Sequence, residues 1–314
     1  QTYNLLKSQS IDPLKLAIGK WVAILIPIIT ITIIIFLIIG NTLSNMIVLE
    51  DFKWINLITI LLVYLLYYSI TTTLTVLISM WSKSSGISLF CSLLIWVLFS
   101  FITPKLATNI ANGKNPYPSK SEFNAKINED KKHGLDGHNP WNQAAKKLEY
   151  ETLKQYGVDS IHKLPFNYVG YRMQKGEEHE AKIYEQNYTA LKKIATKQNE
   201  TYKKFSLVSP FIALRFLSMD LANTSDNIHW KFTEEVEKYR IRKQQFLNYD
   251  IKENSKFGDR GYKMNSKKFK NLPKFSFHPP SLLYLIKKNT QNLLFLILWL
   301  VLPFVGLLIT SKKI

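Results

Sequence analysis

The chain has 314 residues, with 41 Lys and Arg against 23 Asp and Glu, a net charge of +18 and a mean hydropathy near zero. That average hides four strongly apolar runs and one long polar, basic block, which excludes a single soluble domain. One cysteine, Cys91, excludes an intrachain disulfide and a cysteine-based metal site.

Residues 1–20 read QTYNLLKSQSIDPLKLAIGK and precede the first apolar run, Trp21–Gly40 (WVAILIPIITITIIIFLIIG). Further runs follow at Ile55–Trp81, Gly86–Thr103 and Thr290–Thr310. A helix needs about 20 apolar residues to cross the hydrocarbon core, so all four are predicted to span a membrane. The first is too long for a signal-peptide core, and no small-residue cleavage site follows it. None of the four contains Asp, Glu, Lys, Arg or His. Ion-coupled carriers and proton pumps rely on such groups within the membrane, so any energy source is expected elsewhere. Pro27 and Pro303 are expected to kink the first and last spans.

Basic residues in short flanks set orientation. Lys7, Lys15 and Lys20 precede the first span, Lys83 lies between the second and third, and Lys312 and Lys313 follow the fourth. The loop between the first two spans carries Glu50 and Asp51 against Lys53. This pattern predicts cytoplasmic termini and an extracytoplasmic block at residues 104–282. Lys287 and Lys288 then fall outside, in an interfacial segment Ser281–Asn289 from which lysines snorkel to the headgroups.

The block holds 32 basic and 20 acidic side chains between Pro104 and Leu282. Its lysines alternate with glutamates at helical spacings, which reads as solvated helix faces and argues against a nucleic-acid partner. Asn139 and Pro140 predict a helix start, as cap and first helical residue, with a stop at Gly157. A short element at Val158–Lys163 ends at Pro165, and Pro165 with Gly170 marks a turn. One long helix is predicted from Gly176 to Phe205. Its stripe is Tyr184, Tyr188, Leu191, Ala195, Gln198, Tyr202 and Phe205. Ser209-Pro210 starts a helix reaching Ala222. Another runs from Asp226 to about Asn248, with Phe232, Val236, Tyr239 and Phe246 on one face. Lys252–Lys274 reads as a loose return to the membrane. The expected fold is an all-α integral membrane protein: four spans, with an all-α insert between the third and fourth.

Three places carry residue types used in chemistry. His133, Asp136 and His138 in HGLDGH are metal-ligand types, but their spacing fits no standard zinc pattern. The competing reading is a turn in which Gly134 and Gly137 take unusual dihedrals and His138-Asn139 caps the next helix. Glu177, Glu178, His179 and Glu180 are adjacent on a helix, point in different directions, and suit the positive end of its dipole. Phe211, Leu214, Leu217 and Leu221 form an apolar face with Arg215 and Asp220 opposite, suited either to a membrane leaflet or to a core.

Thr2, Leu5, Leu6, Ser8, Ile11, Gly19 and Lys20 fit a pattern in which Ser10 stands where proline is usual. The segment resembles the stretch between the second and third membrane helices of ABC-2 type transporter permeases. Four further pieces are GHNPWN (137–142), YGVDSIHKLPFNYVG (156–170), Met173 with Gly176-Glu177-Glu178, and SPFIALRFLSMDLANTS (209–225). They resemble DUF3526, a domain of bacterial ABC-2 permeases placed between the last two spans. The motif residues so identified are Gly137, His138, Pro140, Pro165, Gly170, Gly176, Glu177, Ser209, Pro210, Arg215, Ser218 and Met219. Such permeases have six spans, so the resemblance implies that two precede this sequence.

The resemblance also implies the partners. A second permease subunit and cytoplasmic ABC ATPase subunits carrying ATP and Mg would join this chain in a bacterial inner membrane. Coupling to the ATPase would fall on Tyr3, Leu5, Leu6, Lys7, Ser8 and Gln9. Membrane lipid and a periplasmic or outer-envelope protein complete the expected contacts. The chain itself is then not an enzyme and carries no cofactor, and it has no GxxxxGK[ST] phosphate loop. Two other readings compete: an envelope scaffold or receptor whose spans are an anchor, and a membrane hydrolase built on His133, Asp136 and His138.

Overall fold

An apolar segment in hydrocarbon must satisfy its backbone internally, which leaves the helix as the form for an isolated run. The computed structural model describes residues 12–46, 54–259 and 261–313, and among these every regular element is helical. Four helices are long and apolar enough to span: α1 (Pro13–Ser44), α2 (Trp54–Trp81), α3 (Ser85–Lys114) and α11 (Thr290–Lys313). Between α3 and α11 lie α4 (Lys120–Lys132), α5 (Gln143–Tyr156), α6 (Tyr168–Lys204), α7 (Pro210–Leu221), α8 (Asp226–Asn254), the short α9 (Ser266–Phe269) and α10 (Leu282–Lys288). The chain is therefore an all-α membrane protein.

It divides into two compact units. Among the described residues, the first gathers those within 12–114, 197–228 and 279–313; the second gathers those within 115–196 and 229–278. The polar block is thus not one body. Its central piece, containing α7, belongs with the spans.

In the span unit, α1 and α11 pack on α2. Ala17, Val76, Leu77 and Leu307 form a buried cluster. Two span tryptophans and several threonines have hydrogen-bond partners. The Trp21 indole N–H donates to Thr73 at 3.0 Å, and that of Trp81 to Thr310 at 2.7 Å. Threonine hydroxyls such as Thr32 and Thr59 donate to the carbonyl four residues back. A Cβ at Gly40 would sit 2.3 Å from the Trp54 ring, so the small residue lets the indole approach α1. Asp12 caps α1 by accepting from Leu14 N–H at 2.9 Å, with Pro13 at the first helical position. Pro27 and Pro303 are accommodated inside α1 and α11. The third apolar run does not end the helix at Thr103, because α3 continues to Lys114 through a π-helical turn at Leu98–Ile102.

The second unit corrects two predicted starts. The helix expected at Asn139-Pro140 begins one turn later at Gln143, with Asn142 as cap accepting from Ala144 and Ala145. Asn139 instead accepts from Trp141 N–H and closes a turn. At the other end Gly157 stops α5 in the left-handed conformation, φ 64°, as predicted. The long helix begins at Tyr168, two turns before Gly176, with Asn167 accepting from Val169 N–H. Gly170 is thus inside a helix and marks no turn. Its small size serves α8, since a Cβ there would sit 2.5 Å from Lys252 N and 2.9 Å from Asn248 O.

The stripe of α6 holds in its second half, where Ala195 and Tyr202 are buried, and is rotated by one residue in its first, where Ile183 and Asn187 are buried and Tyr188 is exposed. Asn187 is held by the Asp130 carboxylate at 2.9 Å. Helix α8 runs on to Asn254 rather than ending at Asn248. Phe232 and Tyr239 pack edge-on against Phe275 and Phe277, so the basic return segment is stapled by its aromatic residues.

Replacing Gly170 by Ala should lower the melting temperature. Overpacking against backbone costs about 1–3 kcal/mol, more than the ~1 kcal/mol that alanine gains in a helix. Gly113→Ala, with nothing within 4 Å of its Cβ position, should leave the melting temperature unchanged or raise it. Thermal unfolding of the purified variants checks the opposite signs.

Candidate functional site

Helix α7 is short, at 12 residues, and carries the sequence PFIALRFLSMDL. Ile212, Ala213, Leu214, Leu217 and Leu221 are buried. Of the two placements open to its apolar face, the structure shows core: α7 packs against α2 and α11. Asp220 is not on an outer polar face, because only 4 % of its side chain is exposed.

A buried carboxylate is tolerable only when paired and hydrogen-bonded. Lys288 Nζ donates to Asp220 Oδ1 at 3.0 Å, and Asn289 Nδ2 to Oδ2 at 2.6 Å. Asn292 Nδ2 in turn donates to Asn289 Oδ1 at 3.0 Å, while its own Oδ1 has no donor among the described residues. Lys288 is therefore drawn inward to α7 rather than snorkelling, and only Lys287 of the pair is exposed. Lys203, on α6, feels the same cluster. Burial pushes its ammonium below the usual lysine range, nearby Lys288 pushes it further, and Asp220 partly offsets both.

The opposite end of α7 is tied to α3 by a backbone defect. In the π-turn, Thr103 N–H bonds Leu98 O, five residues back, instead of Phe99 O. The next residue that could serve Phe99 O in that register is Pro104, which has no N–H. Phe99 O is freed, and the buried Ser209 hydroxyl donates to it at 2.8 Å. Ser209 Oγ also accepts from Ile212 N–H at 3.4 Å and so caps α7, with Pro210 at the first helical position. Nearby, the Trp299 indole donates to Leu207 O at 2.9 Å and stacks edge-on with Phe99 at 5.0 Å. One helix is thereby joined to three spans: by packing to α2 and α11, through Ser209 to α3, and through Asp220 to the start of α11. Both carboxylate oxygens of Asp220 are occupied, which suits anchoring.

The remaining motif residues are structural contacts. Arg215 donates to Tyr202 Oη at 3.1 Å, Ser218 Oγ donates to Arg215 O, and Met219 O accepts from Thr224 N–H. In the second unit, Gly134 and Gly137 do not take positive φ, which corrects the predicted reason for them. They permit close approach. The His179 ring occupies the space a Gly134 Cβ would need, and Gly137 and Gly176 meet backbone to backbone, with a Gly176 Cβ falling 2.5 Å from Gly137 Cα. Arg172 Nε donates to Gly137 O at 3.1 Å, pinning the loop to α6.

Asp136 accepts from His138 and Asn139 N–H, so Asp136 makes the turn, and His138-Asn139 does not cap α5. No group of three or more His, Cys, Asp or Glu converges among the described residues, and His133, Asp136 and His138 are not brought together as ligands. Glu177, Glu178 and Glu180 lie mid-helix, so the dipole argument for them fails. They separate to different cations: Glu177 to Arg240 at 2.8 Å, Glu178 to Lys175 at 2.9 Å, and Glu180 to Lys131. Pro140 lies in the turn before α5, and Pro165 before α6. Tyr3, Leu5, Leu6, Lys7, Ser8 and Gln9 lie outside the described residues.

Asp220, Lys288, Asn289 and Asn292 were not singled out from sequence as a site. The available signal was one acidic residue in a mostly apolar helix, and a polar run, KKNTQN, at the head of an apolar span.

A family model described as "Domain of unknown function (DUF3526)" matches residues 120–278, just over half of the chain. Comparison with curated proteins and with solved structures finds no match.

Asp220→Ala should destabilise the span unit by about 3–5 kcal/mol, because it strands buried polar partners. Replacing Asp220 by Leu and Lys288 by Met together should cost less than the sum of the single changes. Thermal unfolding in detergent across the double-mutant cycle measures the coupling; additive losses would contradict the pairing.

Proposed function

The chain belongs to the DUF3526 family, and on that premise we propose that it is the transmembrane permease subunit of an ATP-driven ABC exporter. The observation that carries this reading is the packing of α7, a helix within the matched family domain, among the spans. Movement of α2, α3 or α11 has a direct route into the family domain through Ser209 and Asp220.

The apolar runs of all four spans lack Asp, Glu, Lys, Arg and His, which supports an energy source outside the membrane. The Asp220–Lys288 pair does not change that argument, since each charge is neutralised by the other just ahead of α11. ATP and Mg would act on a separate cytoplasmic ATPase, and a second permease subunit would complete the membrane part. The likeness of residues 1–20 to ABC-2 permeases supplies the coupling segment, with Leu5 and Leu6 packing into the ATPase. The flanking lysines support an orientation with both termini cytoplasmic and the 104–282 block extracytoplasmic, and the resemblance to bacterial ABC-2 permeases implies the inner membrane. A periplasmic or outer-envelope partner would then meet the second unit.

Co-purification of the full-length protein tests the reading. An ATPase should accompany the wild type, and Leu5→Asp with Leu6→Asp should abolish that association while membrane insertion persists. If no ATPase accompanies the wild type, the exporter reading falls and an envelope scaffold takes its place. Unchanged association in the double variant would refute the coupling assignment alone.

A further inference from the structure

We propose that the groove beside the π-turn of α3 binds one anionic phospholipid, a site that rests only on the membrane placement of α3 and not on export. The groove has a volume of about 700 Å³ and is lined by Phe101, Ile102, Lys105, Leu106, Tyr202 and Arg215, among others. Phe101, Ile102 and Leu106 are exposed. The sequence turns from apolar to polar at Thr103-Pro104-Lys105, so the groove straddles the level where a span leaves hydrocarbon. Phe101 of the groove pairs edge-to-face with the exposed Trp96 at 5.3 Å, which extends the apolar wall toward the middle of the span.

The charge in the groove is uncompensated. Among the described residues no carboxylate pairs with Lys105 or Arg215, whereas Arg240 is held by Glu177 and Glu237. Arg215 rests instead on a neutral group, the Tyr202 phenol oxygen at 3.1 Å, with its guanidinium 5.6 Å from that ring. Tyr202 is itself buried against Ala107 and Ile212, so the arginine is oriented by a fixed side chain. A guanidinium has five N–H donors, and one bond to Tyr202 leaves others for a second acceptor. Two cations beside exposed apolar side chains match the parts of a phospholipid: a phosphate held by Lys105 and Arg215, and acyl chains along Phe101 and Ile102, with Leu106 flanking the phosphate. Free phosphate would use the cations and leave the apolar wall uncovered.

The test is native mass spectrometry of the full chain in non-ionic detergent with equimolar phosphatidylglycerol and phosphatidylcholine. One phosphatidylglycerol should be retained in preference. Lys105→Gln and Arg215→Gln should each weaken its retention about fivefold, the usual contribution of one basic residue at an anionic surface. Arg215→Lys should keep most of the retention, which guards against a folding defect, and Lys120→Gln should change nothing. Equal retention of the two lipids, or phosphatidylglycerol retention untouched by both Gln variants, would overturn the site. So would an equal loss in Lys120→Gln, which signals diffuse attraction. Displacement of the lipid by inorganic phosphate at matched concentration would overturn it too, by showing that the apolar wall contributes nothing.

Discussion

The arrangement of the span unit depends on satisfying one buried carboxylate. Asp220 enters an otherwise apolar packing of helices, and its two oxygens are met by Lys288 and Asn289. Without those partners, α7 could not lie among spans without stranding a charge. The constraint acts in both directions. Lys288 ends α10 and Asn289 links it to α11, so the entry to that span is tied to a residue 68 positions before Lys288. Hydrophobic burial of Ile212, Leu214, Leu217 and Leu221 drives α7 inward, but it is non-directional. The ion pair and amide fix which way the helix points.

The other end of α7 obeys the same rule applied to backbone. Pro104 removes a donor from α3, a π-turn shifts the local register, and one carbonyl loses its partner. Ser209 fills the gap while capping its own helix. A hydroxyl can do both because it donates one hydrogen and accepts through its lone pairs. The irregular stretch of α3 is thus explained by two residues far apart in sequence. Either change alone, a proline without the serine or the serine without the proline, would leave an unmatched group in a buried place.

Features that depend on local sequence were legible. The four spans follow from uncharged length, the stop of α5 from Gly157, and the start of α7 from Ser209-Pro210. Features set by tertiary contact were not. Gly170 and Gly176 read as turn and helix start because glycine disfavours helix interiors, yet both lie within α6 where another backbone approaches too closely for a Cβ. The stripe on α6 holds at Ala195 and Tyr202, but near Tyr184 and Tyr188 the buried positions are Ile183 and Asn187, one residue earlier, because Asp130 supplies the partner that allows an asparagine inside. Asp220 read as part of a polar face for the same reason: helical periodicity places a residue on a side, and only its partners decide whether that side is wet.

The division of the chain carries the functional argument one step further. The family domain is a stretch of sequence, but the compact units cut across it, and α7 is the part that joins the spans. An anchor for a soluble domain would need only apolar spans and a linker. A buried ion pair, a matched backbone defect and a packed helix are more specific than anchoring requires, and each fixes the geometry between α7 and a span. Such fixed joints are what a machine needs if displacement of a span is to be passed on rather than absorbed by a loose connection. The specificity of these joints, more than the presence of four spans, is what favours a moving membrane subunit over a passive tether.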